Sequence, residues 1–208
     1  RVVREYKFKG VEVGTSIEGK PLADTRFRKV LRTIEQLDCF VFTHPYQCLA
    51  QGGMDDYYLS NFVGFPLDTT LMVAHLMYSG ALDELTKLKI LLPHGGGYVP
   101  YQIGRFVHGF NVRPEPKTRT TTSPADLLRR FYFDALTHDP QAARHLINRV
   151  GADRVLRARR RLGAPVPPVG PALRGATSRR AAPACAGGSL DGRRHRRLQE
   201  PVARKLRR

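Results

Sequence analysis

Two histidines stand where a short apolar run ends and a loop begins. His44 directly follows FVFT, and His94 directly follows KILLP and opens a triple glycine, Gly95 to Gly97. An imidazole at such a place can ligate a metal through a neutral ring nitrogen or move a proton near neutral pH. The plainer alternative is a strand-end histidine that hydrogen-bonds backbone. The glycines divide in the same way: they serve a flexible turn, or they let a substrate approach bare backbone. Equivalent placement of both histidines favours chemistry. The three cysteines, Cys39, Cys48 and Cys185, show no CxxC pair and no regular spacing. Neither a disulfide framework nor a cysteine-ligated zinc site is expected, and a reducing cytosol is the simplest home.

Short apolar runs alternate with longer helical patterns, as in βα units around a parallel sheet whose strands are buried on both faces. Strands are expected over 10–14 (GVEVG), 40–43 (FVFT), 89–92 (KILL) and 131–135 (FYFDA). Residues 24–37 place Phe27, Val30, Leu31 and Ile34 at helical spacing, which predicts an outer helix resting on the sheet. Further helices are expected over 69–79, broken by Gly80, then over 98–110, and over 142–150 with Asp139 and Pro140 as start signals. Residues 112–123, rich in Pro, Thr and Lys, read as a loop. In a parallel barrel the loops leaving the strand C-termini form the active-site mouth, and both histidines fall there.

Composition divides the chain. Of the net charge of +17 over 208 residues, residues 1–155 carry +4 (20 basic, 16 acidic) and residues 156–208 carry +13 (15 basic, 2 acidic). After residue 156 no Phe, Tyr, Ile or Met occurs, and Arg, Ala, Pro and Gly dominate. The expectation is a packed α/β unit over 1–156 and a disordered Arg/Pro/Ala-rich tail over 157–208. No run is apolar enough for a membrane span, and the first ten residues lack the apolar core of a secretion signal. The chain reads as soluble and, without an initiator Met, as incomplete.

Four segments carry a family resemblance: VFTHP at 41–45, FVGFPLDTT at 62–70, LTKLKILLPHGGGYVPYQIGR at 85–105 and YFDALTHD at 132–139. In order and spacing they resemble successive blocks of the aminocarboxymuconate-semialdehyde decarboxylase group of the amidohydrolase superfamily. The resemblance spans about residues 1–155, and the HGGG block is its most specific part. It implies a (β/α)8 barrel of which this chain holds about strands 4 to 7 or 8, and a metal-dependent decarboxylase or hydrolase acting on a small carboxylated substrate. It implies a divalent metal, usually zinc, with His44 as a ligand and His94 as the catalytic histidine that takes a proton from metal-activated water. Arg105 matches a position that reaches a substrate carboxylate across a homodimer interface, where a planar guanidinium can grip both oxygens. Tyr57 or Tyr58 falls where the family places an aromatic pocket wall. By themselves Arg105 reads as a surface helix arginine and the tyrosines as core packing.

The remaining histidines, His75, His108 and His145, read as structural. His138 and Asp139 lie near the mouth and read as loop hydrogen-bonding residues, while Asp134 could orient a metal-bound histidine by accepting a hydrogen bond from its ring. The family's N-terminal His-x-His pair is absent, and where GADRVL at 151–156 should lead to a Gly-Thr-Asp or Gly-Ser-Asp, RARRR stands at 157–161. That switch is what a GC-rich gene read out of frame yields. One zinc ligand does not make a site, so inactivity of the chain alone is expected. The competing reading is a basic tail that binds nucleic acid or another polyanion.

Overall fold

The computed structural model describes residues 1–46 and 52–156. The expected tail at 157–208, with Cys185 in it, and Cys48 lie outside the described residues. Along the chain come β1 (Gly10–Gly14), a small hairpin of β2 (Ser16–Ile17) and β3 (Lys20–Pro21), α1 (Arg28–Gln36), β4 (Phe40–His44), α2 (Phe65–Tyr78) and α3 (Ala81–Glu84). They are followed by β5 (Lys89–Leu92), α4 (Val99–Val112), α5 (Pro124–Leu128), β6 (Tyr132–Asp134), α6 (Pro140–Val150) and β7 (Val155–Leu156).

The main sheet has the order β1-β4-β5-β6-β7, and every neighbouring pair is parallel. Spatial order equals chain order, so each crossover continues in the same direction. Right-handed crossovers then put the connecting helices on one face of the sheet. A doubly wound sheet would reverse its order midway; an unreversed one is the winding of a (β/α) barrel, and these five strands are an arc of such a barrel.

The pleat sorts side chains between two faces. Val41, Thr43, Ile90, Leu92 and Phe133 are at most 1% exposed, and all but Thr43 join one apolar cluster with Leu31, Leu76, Met77, Ile103 and Leu146 from the helices. On the other face Phe42, Leu91 and Tyr132 lie in register across three strands and are only half-buried. Glu12 and Phe42 pair on that same face, as do Gly14 and His44.

The start and stop signals act as their chemistry dictates. Asp139 caps α6 by accepting from the amides of Gln141 (2.9 Å) and Ala142 (3.3 Å), and Pro140 fills the first turn, where no amide is needed. Gly80 breaks the path between α2 and α3 at φ +74°. The helix expected from residue 69 begins at Phe65, because Pro66 can also occupy a first turn. Val30 is the exception on α1. It is 55% exposed, since the buried stripe runs through Arg28, Leu31 and Ile34 and leaves Val30 about 100° from its centre. Arg28 can be buried because its guanidinium lies 3.7 Å from Glu84 and donates to the Ala23 carbonyl. Among the described residues no helix is long and apolar enough to cross a membrane.

Candidate active site

All five parallel strands point their C-terminal ends to one rim, and the two histidines meet there. The ring centroids of His44 and His94 are 5.4 Å apart. Phe65, at the start of α2, closes the space between them, 5.9 Å from His44 edge-on and 6.3 Å from His94 in a stacked arrangement. The His44 Nδ1–H donates to the Pro45 carbonyl at 2.9 Å. A carbonyl can only accept, so this bond leaves Nε2 as the nitrogen with a free lone pair.

His94 is held differently. Its backbone is left-handed at φ +56°, and the three glycines after it stay left-handed as well. A bulky residue rarely adopts that conformation without support. Support comes from Asp134 at the end of β6: its Oδ2 accepts the His94 amide at 3.1 Å, and its Oδ1 accepts the amides of Gly95 at 2.8 Å and Leu136 at 3.2 Å. A larger residue at Gly97 would force its surroundings to shift, since a Cβ there would meet the Pro66 carbonyl and come within 2.7 Å of Thr70 Oγ1.

The second turn of α2 supports the same segment. Thr69 Oγ1 lies 3.5 Å from His94 Nδ1 and donates to the Phe65 carbonyl at 3.1 Å. Thr70 Oγ1 accepts from the Tyr98 amide at 2.8 Å and donates to the Pro66 carbonyl at 2.8 Å. Burial, the largest influence, holds the His94 imidazole below its ordinary proton affinity; His44 and His138 add to this and Asp134 opposes it.

Asp134 therefore sits beside His94 but grips its backbone amide. That differs from the expected partner of a histidine ring. Tyr57 and Tyr58 are 86% and 65% exposed, and Tyr58 packs edge-on against Phe62. Arg105 stands exposed on α4. Among the other histidines, His75 and His108 are exposed on their helices, and His145 stacks on Tyr101 at 5.4 Å. His138 is exposed on the loop after β6, its backbone left-handed at φ +55°.

Sequence reasoning did not single out Thr69, Thr70 or Glu12. The first two lie in the FPLDTT run, and their adjacency one turn into a helix that leaves the His44 loop was the available signal. Glu12 lines a cleft of about 290 Å³ beside His44, together with Val13, Gly14, Pro45 and Tyr46. A larger groove of about 490 Å³ runs along α2 between residues 21–25 and 115–119, but it holds neither rim histidine. Chemistry outweighs volume in choosing between them.

Among the described residues no group of three His, Cys, Asp or Glu could hold a metal ion. Catalytic zinc needs three protein ligands plus an open position. The described residues thus do not by themselves make such a site.

A family model described as Amidohydrolase matches residues 1–156. The 2-amino-3-carboxymuconate-6-semialdehyde decarboxylase of Dictyostelium discoideum is 33% identical over 156 residues, covering 74% of this chain and 44% of that protein. The chain thus spans less than half the length of this curated relative. Among solved structures, a 5-carboxyvanillate decarboxylase from Sphingomonas paucimobilis superposes with a TM-score of 0.68 at 23% identity, over 76% of this chain and 49% of the other. A 5-carboxyvanillate decarboxylase from Novosphingobium aromaticivorans, solved with bound manganese and a nitrobenzoic acid, gives 0.66 at 22% identity, over 76% and 48%. With the unreversed parallel sheet, the histidine-bearing rim and the match across residues 1–156, this chain belongs to the amidohydrolase family, in its aminocarboxymuconate-semialdehyde decarboxylase-like branch.

Proposed function

We propose that this chain carries the His44 and His94 rim of a metal-dependent carboxy-lyase that acts on a small carboxylated substrate. The observation that carries the reading is the pair of imidazoles 5.4 Å apart at the C-terminal rim of the parallel sheet. Decarboxylation exchanges a carboxylate for a proton on carbon, so the site needs a group that hands a proton to that carbon. A half-buried imidazole beside bare glycine backbone suits that task, because an imidazole can both take up and hand over a proton and a substrate can approach it closely.

His44 would give one coordination bond through Nε2 to a divalent metal, and the other ligands would come from outside the described residues. Zinc is the metal that an imidazole ligand suits best here, while one structural neighbour holds manganese. Arg105 serves as carboxylate clamp across a homodimer in this reading. Its support is that Arg105 is exposed on α4 and, among the described residues, pairs with no carboxylate. Tyr57, at 86% exposure, would line a pocket only when a further part of the enzyme covers it. A reducing compartment suits the buried free thiol of Cys39. Polyanion binding through the Arg-rich tail concerns residues outside the described ones, and no described residue favours it.

A chimera tests the proposal: residues 1–156 replace the matching segment of the Dictyostelium decarboxylase. Carbon dioxide release from that enzyme's semialdehyde substrate is expected, with a fall of about 10²- to 10⁴-fold in His94→Gln. A folded chimera whose turnover ignores His94→Gln sinks the reading.

A further inference from the structure

We infer that Thr69 is a positioning residue for His94, whose hydroxyl holds the imidazole as the Nδ1–H tautomer and so leaves Nε2 as the nitrogen that exchanges protons at the rim. The inference deepens the carboxy-lyase proposal and rests on its reading of His94. It follows from where one proton must be. Thr69 is fully buried, and its hydroxyl has two neighbours in line, the Phe65 carbonyl at 3.1 Å and His94 Nδ1 at 3.5 Å.

A hydroxyl has one proton to give. The carbonyl is the nearer neighbour and can only accept, and a threonine inside a helix commonly donates to the carbonyl four residues back. With the proton committed to Phe65, the oxygen can only accept from His94, so Nδ1 must carry hydrogen. In a neutral imidazole the other nitrogen is then bare. The backbone contacts from Asp134 set where His94 stands, whereas Thr69 sets which of its nitrogens is basic. His44 reaches the same state through the Pro45 carbonyl. Both rings therefore keep their lone pairs on Nε2, and the two are assigned by independent acceptors.

The tautomer can be read without turnover. The full 208-residue chain, labelled with ¹⁵N-histidine and kept metal-free at a pH about two units above the ordinary histidine value so that the ring is neutral, is examined by long-range ¹H–¹⁵N correlation. The His94 signals are assigned by their disappearance in His94→Gln. The expected result is a protonated Nδ1 and an unprotonated Nε2 for His94. Thr69→Val keeps the shape but removes the oxygen, so the Nδ1–H pattern should be lost in favour of Nε2–H, and Thr69→Ser should restore it.

An Nε2–H pattern in the parent chain overturns the inference, as does a Thr69→Val spectrum in which the Nδ1–H pattern persists. If Thr69→Val does not fold, the parent and Thr69→Ser spectra decide: Nδ1–H in both supports the assignment, and Nε2–H in either overturns it. These outcomes are separate from the chimera's. A wrong tautomer leaves the carboxy-lyase proposal standing, and a chimera indifferent to His94→Gln leaves the tautomer standing.

Discussion

At the end of β4 the backbone stays in the strand through His44, whereas at the end of β5 it turns left-handed at His94 and stays so through Gly97. The first rim segment needs little outside help: a local carbonyl orients the His44 ring, and Thr43 ties the strand to its neighbour by donating to the Leu91 carbonyl at 3.3 Å. The second is held by three side chains on two neighbouring elements, Asp134 on β6 and Thr69 and Thr70 on α2. The difference teaches that a histidine presented by regular backbone depends on its own strand, while one presented by strained backbone depends on its neighbours. Strain of that kind persists only where the surroundings over-determine it.

The strained rim segment is most vulnerable at Gly97. Gly97→Ala places a Cβ against the α2 turn in a conformation that only glycine adopts readily, and stability should fall by about 3 kcal/mol. A urea midpoint unchanged by this substitution would show that the second rim segment is free to relax. Next comes Asp134→Ala, which leaves the amides of His94, Gly95 and Leu136 without their acceptor. A loss of about 2 kcal/mol is expected, along with faster hydrogen exchange at those three amides and not at the amide of His44. If exchange quickens equally at both rims, the two are not held separately.

Thr43→Val sharpens the contrast from the other side. It removes one hydrogen bond from the regular rim while keeping its shape, and should lower stability by about 1 kcal/mol or less. A larger loss would mean that β4 also relies on its side-chain tie.

The smallest effect is on pH dependence. The folded protein holds His94 below the ordinary value of 6.5, chiefly through burial. The unfolded chain therefore binds the proton more readily, so stability is full above that value and declines as pH drops from it through the folded value. Thermal melts should show this decline on acidification, and His94→Gln should flatten it. A parent melting temperature that rises over the same window contradicts the assignment.

Much of this molecule was legible in one dimension. The strands of β1, β4 and β5 announced themselves as apolar runs, and α6 through Asp139 and Pro140, because these signals act over a few neighbouring residues. Even at the site, the placement of His44 and His94 at strand ends could be read, since a rim position follows from strand direction in a parallel sheet. The hairpin of β2 and β3 and the short α5 escaped, being too brief to show a period. Val30 misled because spacing alone does not say which side of an apolar stripe a buried Arg28 will occupy.

Residue type and near spacing were enough to give the alternation of strands and helices, the family blocks and the two candidate imidazoles. It takes the folded chain to show that Asp134 grips the His94 backbone, that Thr69 meets the His94 ring and that Glu12 borders the His44 cleft. These pairings join residues 25 to 40 positions apart or on adjacent strands. Their geometry is set by how strands register and how α2 settles against the sheet, and no local pattern along the chain encodes that.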